Sequence, residues 1–271
     1  KHTMLETASF HIVKPCNLKC KFCYATFQDM RVLKQLSLED AKIIVDKLKL
    51  GGLKKITFAG GEPMLYKNIF EIVAYSKGIG LTTSIISNGS FLTPDALLKF
   101  KDTLDWVGLS VDSLDAETNI KIGRGDKVNY LELIKNIKAL AFKLKINTVV
   151  NRYNEHEDLN DFIKWANPSR WKVFDTLKVE GQNDEEFENI KSSSGAFEKY
   201  VARNKQAVIV PENNEVMRGS YLLIDPQGRL FENTNGGHTY SSKLQENDLL
   251  DCLTEINIKR EMFIKRGGLY K

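Results

Sequence analysis

Two periodicities take turns along the first two thirds of the chain. Short runs of β-branched and apolar residues at 9–13, 55–59, 82–87, 106–111, 145–150 and 171–179 have the length and composition of strands. Stretches with helical spacing lie between them. Ser37-Leu38-Glu39-Asp40 has the form of a capping box, the positions after it keep helical spacing to Leu50, and Gly51-Gly52 ends the helix. Thr93-Pro94 opens another, with Pro94 at the first helical position, where its missing N–H is no loss. Residues 129–142 form a third, with Leu131, Leu133, Ile134, Ile137 and Leu140 as its apolar stripe. A short one at 161–166 stops before Pro168.

Six alternations of strand and helix imply a parallel sheet with right-handed crossovers. Six units fall short of the eight-stranded barrel, so the pattern predicts an α/β fold of the open, partial (β/α)6 TIM-barrel kind. From about Lys191 the alternation fades. Residues 211–237 are rich in Asn, Gly and Glu around one apolar stretch, 221–224. Residues 1–190 are expected to form the barrel core, and residues 191–271 a C-terminal extension that closes the barrel within the same domain. There is no repeated motif of fixed period, and no Pro/Gly/Ser-rich linker long enough to divide the chain.

Composition narrows the class. At 271 residues and 42% hydrophobic content the chain has ample material for a buried core. Its 39 basic and 35 acidic residues leave a formal charge of only +4, which requires neither a nucleic-acid nor a membrane partner. Such a balance suits a small anionic ligand if a few basic residues converge. No apolar run reaches the ~18 residues that span a bilayer. The opening Lys1-His2-Thr3-Met4 has no apolar leader core and reads as a scar ahead of a trimmed domain. Three of the four cysteines fall within eight residues, Cys16 to Cys23. A disulfide framework spreads its cysteines, so this clustering points to a metal site in a reducing compartment, the cytoplasm.

Cys16, Cys20 and Cys23 follow the first strand directly, on a loop at the C-terminal mouth of the expected barrel, where active sites of this architecture cluster. Three thiolates can ligate three irons of a cubane and leave the fourth open to an amino and carboxylate chelate. The alternative is a structural zinc, which normally takes four protein ligands. Cys252 is the one other cysteine, and it reads as a small buried residue. The spacing resembles the signature of the radical S-adenosylmethionine (SAM) superfamily, which implies a [4Fe–4S] cluster and SAM. Ala59-Gly60-Gly61-Glu62-Pro63, at the end of the second strand, resembles that superfamily's second motif. Small polar clusters close the next two strands, Ser87-Asn88-Gly89-Ser90 and Ser110-Val111-Asp112-Ser113. Ile122-Gly123-Arg124-Gly125 sets one guanidinium between glycines, which is either a tight exposed loop or a fork for a carboxylate or phosphate.

Alternation in the fifth and sixth strands puts Lys145 with Asn147, and Arg170 with Lys172, on common faces. Facing inward they would form a polyphosphate socket; facing the helices they would snorkel to water. Together with 122–125, 151–154, 167–174, 210–212 and Lys265-Arg266-Gly267-Gly268, these segments resemble the viperin-like radical SAM enzymes over nearly the whole chain. The resemblance implies a dehydratase that takes the 4′ hydrogen of a ribonucleoside triphosphate. Its product would be a chain-terminating 3′-deoxy-3′,4′-didehydro nucleotide for antiviral defence, with CTP the first-choice substrate and UTP the next. It also implies an external electron donor. Carried over, Gly60, Gly61, Glu62, Ser87, Asn88, Ser110 and Arg124 serve SAM. Thr26, Lys145, Asn147, Arg170 and Lys172 bind the nucleotide. One departure stands out: Gln28 takes the place of a lysine, with Arg31 or Lys34 as substitutes. Residues 233–240 also replace a more basic stretch and are expected to close over the base. Rival readings are another radical SAM enzyme, such as a peptide-modifying one, a nucleotide sensor without turnover, and a zinc-stabilised nucleic-acid binder.

Overall fold

The computed structural model describes residues 6–31 and 34–270. The opening Lys1-His2-Thr3-Met4 lies outside them. One ten-stranded sheet organises the described chain: β1 (Thr7–Val13), β2 (Lys55–Gly60), β3 (Thr82–Ser87), β4 (Trp106–Ser110), β5 (Lys143–Val150), β6 (Arg170–Asp175), β7 (Ile209–Glu212), β8 (Leu222–Ile224), β9 (Arg229–Glu232) and β10 (Thr239–Lys243). Their order is β10-β9-β8-β1-β2-β3-β4-β5-β6-β7. All neighbours from β8 through β7 pair in parallel, while β9 and β10 add antiparallel strands beyond β8.

Period-two alternation sorts these strands into two faces. Phe10, Ile56, Phe58, Ile85, Leu109 and Ile146 are fully buried in the main apolar cluster. The intervening positions Ser9, His11, Lys55, Thr57, Ser110, Lys145, Asn147 and Lys172 line a central cavity. Register carries these inward positions from strand to strand: Gly108 faces Lys145 and Lys145 faces Arg170, while Ser110 faces Asn147 and Asn147 faces Lys172.

The helices seal the outer face. Ser37 caps the helix Leu38–Leu50 by accepting the Asp40 N–H at 3.0 Å, and the helix buries Ala41, Ile44, Val45 and Leu48. Each buried Ile, Val or Leu contributes about 1.5–3 kcal/mol. Thr93 caps the helix Pro94–Phe100 and Asn129 the helix Tyr130–Ala139, the latter shorter at its C-terminal end than 129–142.

The strand count is where the expectation changes. Six parallel strands were expected, and the tail adds two more: β7 beside β6 and β8 beside β1. Both are short, and Pro211 in β7 lacks a ladder donor, a feature confined to edge strands. The sixth strand ends at Asp175 rather than 179. Among the described residues no backbone ladder joins β7 to β8. Side chains span the gap instead: Tyr221, just before β8, donates to Glu212 of β7, and Lys172 of β6 donates to both.

Candidate active site

The C-terminal ends of the parallel strands open into one cavity of about 1010 Å³. Cys16, Cys20 and Cys23 all line it, Cys16 exposed and the other two half-buried. Burial raises all three thiol pKa values, Cys20 to about 12, and nearby Arg124 only partly opposes this. Such thiols become thiolates only against a strong cationic partner, which is what iron provides. Three thiolates lie within eight residues on one loop. A cubane takes its thiolates at separate corners. The donor set therefore fits an iron–sulfur cluster.

The second motif braces this loop. The Gly61 N–H donates to Val13 O at 2.7 Å and the Glu62 N–H to Pro15 O at 2.9 Å. A Cβ on Gly61 would lie 2.2 Å from Pro15 O, so only glycine permits that approach. Gly60 and Gly61 line the cavity. Glu62 is not among the lining residues: its buried carboxylate accepts from Ser87 Oγ at 2.8 Å, Asn88 N at 2.9 Å and Met64 N at 3.2 Å. It braces the Ser87-Asn88 turn. Ser87, Asn88, Ser110 and Arg124 do line the cavity. Asn88 Nδ2 donates to Asn17 Oδ1 at 2.9 Å, tying the third strand end to the cysteine loop. Arg124 is buried, pairs with Asp112 and lies over the Phe22 ring at 5.6 Å.

The same cavity also carries cations. Lys145, Asn147 and Lys172 line it, as the inward reading of β5 and β6 requires. Lys172 is not a free cation, because it pairs with Glu212 and reaches Tyr221 Oη at 2.8 Å. Arg170 is not among the lining residues: it lies over the Tyr270 ring at 4.2 Å and donates to Arg266 O at 3.1 Å. Thr26 lines the cavity with its hydroxyl directed to Gln182, 2.8 Å from Oε1. Gln28 also lines it, and Arg31 and Lys34 are not among the lining residues.

Among the lining cations that the sequence reading did not assign to the site are Lys55 and Arg266. Lys55 Nζ is buried without a hydrogen-bond partner, 4.1 Å from the Trp106 ring centroid and 3.6 Å from that of Tyr270. Burial first, and then Lys145, Arg170 and Lys143, push its pKa down to about 6. Lys145 falls to about 7 through burial, with Glu212 opposing. The alternation Lys55-Thr57-Ala59 was the available signal for Lys55.

A parallel β/α barrel with a Cys-x3-Cys-x2-Cys loop at its mouth is the architecture of a radical SAM enzyme, and the model of the Radical SAM superfamily matches residues 12–166. Solved structures share the fold: Streptococcus suis SuiB bound to S-adenosylmethionine has a TM-score of 0.71 at 18% identity, covering 98% of this chain and 68% of that one. Native anSMEcpe with bound AdoMet and a peptide gives 0.67 at 14% identity, covering 97% and 84%.

Sequence relatives are more specific. The S-adenosylmethionine-dependent nucleotide dehydratase of Flammeovirga pacifica is 40% identical over 281 residues, covering all of this chain and 97% of that protein. The one of Lacinutrix mariniflava is 41% identical over an aligned length of 278, covering 98% of this chain and 58% of that protein. The S-adenosylmethionine-dependent nucleotide dehydratase RSAD2 of Danio rerio is 34% identical, covering 99% and 78%. The chain belongs to this viperin-like family of S-adenosylmethionine-dependent nucleotide dehydratases. It is an enzyme whose cofactors are a [4Fe–4S] cluster and SAM. No helix among the described residues is long and apolar enough to cross a membrane.

Proposed function

We propose that the enzyme dehydrates a ribonucleoside triphosphate to its 3′-deoxy-3′,4′-didehydro analogue, with CTP preferred and UTP next. The observation that carries this reading is that one cavity is lined both by the cysteine triad and by Lys55, Lys145, Lys172 and Arg266 from the strands and the tail. A nucleotide laid along it would put its polyphosphate among the ammonium and guanidinium groups and its ribose toward the cysteines. Charge-assisted hydrogen bonds of this kind are the strong ones.

On this reading Cys16, Cys20 and Cys23 hold the cluster. Ser87, Asn88, Ser110, Arg124 and the backbone of Gly60 and Gly61 hold SAM, with Glu62 fixing the Ser87-Asn88 turn. Cluster and SAM together supply a 5′-deoxyadenosyl radical. The protein's part is orientation, since the radical must meet one C–H bond and no other. Residues within a strand, such as Asn147 and Lys145 of β5, give that rigidity better than loops do. The 4′ hydrogen goes to 5′-deoxyadenosine, the 3′ hydroxyl leaves as water with a proton, and one further electron comes from an external donor. The product would terminate chains made by viral polymerases. A reducing cytoplasm suits an oxygen-labile cluster.

The test is anaerobic. Each ribonucleoside triphosphate is supplied separately to the reconstituted enzyme, and 5′-deoxyadenosine is quantified. CTP should stimulate SAM cleavage most, and Cys20→Ala should abolish cleavage. Cleavage that no nucleotide stimulates would remove the triphosphate from this reading, and normal cleavage by Cys20→Ala would remove the ligand assignment.

A further inference from the structure

The turn Ile122-Gly123-Arg124-Gly125 presents Arg124 to the cavity and over the Phe22 ring, and it also holds the cysteine loop by backbone hydrogen bonds. The Lys19 N–H donates to Gly123 O at 3.2 Å and the Lys21 N–H to Ile122 O at 3.0 Å. These two anchors flank Cys20. Gly123 caps the helix Ala116–Ile122 in the left-handed conformation, φ +94°, with its own N–H directed to Asn119 O and Ile120 O. Asn119 is buried; its Nδ2 donates to Ser113 O at 2.9 Å, and its carbonyl accepts the Arg124 N–H at 2.8 Å. The turn is thus fixed to the end of β4 before it meets the cysteines.

The approach leaves no room for a side chain. A Cβ on Gly123 would lie 2.1 Å from Lys19 O and 2.9 Å from Lys19 C, both backbone atoms with no rotamer to relieve the clash. Gly125, two residues on, is also left-handed at φ +70°, yet nothing lies within 4 Å of its Cβ position. The two glycines share a backbone conformation and differ in whether the cysteine loop is in contact.

We propose that Gly123 is a positioning residue for the iron–sulfur cluster, seating the cysteine loop on the β4 connection so that Cys20 is placed before the cluster binds. This rests on the reading of Cys16, Cys20 and Cys23 as the cluster ligands. Ligands held by a fixed outer layer bind metal more tightly than ligands on a free loop.

The test compares Gly123→Ala with Gly125→Ala after anaerobic reconstitution, following loss of the visible cluster absorbance to a chelator and the electron paramagnetic resonance of the reduced cluster. Gly123→Ala should lose its cluster about ten-fold faster than the parent, or more, with an altered resonance. Gly125→Ala should match the parent in both. Equal behaviour of the two variants would overturn the proposal. If the Gly123→Ala apoprotein does not fold, hydrogen exchange in the unsubstituted apoprotein decides. Slow exchange at the Lys19 and Lys21 amides supports the seat, and exchange at the unprotected rate overturns it. Failure of the underlying ligand reading shows separately, as a Cys20→Ala protein that keeps its full iron.

Discussion

Lys55 and Lys145 are amines placed where water solvates them poorly, with pKa values of about 6 and about 7. Only their protonated forms attract a polyphosphate. Above those values the ligand must bring a proton onto each amine as it binds, and it raises their pKa in doing so. Triphosphate affinity should therefore fall as pH rises through and beyond 6 to 7, and binding should take up protons. Calorimetry in buffers of different ionisation enthalpy measures that uptake directly. No uptake would show that the two amines lie outside the phosphate site. Lys55→Met should raise the nucleotide KM by an amount worth about 1.5–3 kcal/mol.

Lys172 makes a different prediction because it is already paired. Its side chain and that of Glu212 are 2% and 0% exposed. Lys172→Met leaves a buried carboxylate with Tyr221 as its remaining hydrogen-bond donor, at a cost of about 3 kcal/mol in denaturant unfolding. Adding Glu212→Gln should recover most of that loss. A single variant as stable as the parent would mean the pair is not closed in solution. Lys145 and Lys172 were legible in the alternation of their strands. Lys55 shares such an alternation with Thr57 and Ala59 but was passed over, because a Lys-Lys pair ahead of an apolar run also reads as solvated surface. Arg170 was legible by position, but its packing on Tyr270 depends on the end of the chain, where strand periodicity carries no information.

At the scale of elements, helices with strong caps were readable. Ser37, Thr93 and Asn129 each accept the expected backbone N–H. The helix Ile69–Gly78 has no side-chain cap at its start, so local signals did not mark where it begins. β7 and β8 escaped because four and three residues are too few for a period to show. Residues 233–240, expected to close over the base, meet several elements, and His238 and Tyr240 reach the loop after the cysteines. Tyr240 Oη donates to Asp29 at 2.6 Å, and the His238 ring lies 6.0 Å from Phe27. Gln182 Nε2 also donates to Asp29, at 2.7 Å, and Gln182 Oε1 accepts from Phe27 N at 2.7 Å. The Glu180–Gly237 bridge joins the remaining pair of loops. Asp29 therefore ties three loops together. Asp29→Ala should cost about 1–2 kcal/mol and make residues 233–240 the first site of limited proteolysis. An unchanged cleavage pattern would mean these loops hold without it.

For the whole molecule, the fold class was legible because six strand–helix alternations admit few topologies, and the triad's place after β1 put it at the barrel mouth. How the barrel is finished was not, since in its last seam Lys172 of β6 meets Glu212 and Tyr221, which lie 40 and 49 positions further along the chain. Cys252 lies in the tail, fully buried and directed to Ser242 O at 3.4 Å. Cys252→Ser should leave iron content unchanged. The cavity is what joins fold to chemistry, and the central claim of the proposed function is that one ribose hydrogen meets the radical there. The most direct measurement uses CTP deuterated at C4′ in a single-turnover anaerobic reaction, with mass spectrometry of both products. The account predicts deuterium in 5′-deoxyadenosine and a nucleotide lighter by one water. Deuterium retained in the nucleotide while SAM is cleaved would contradict it.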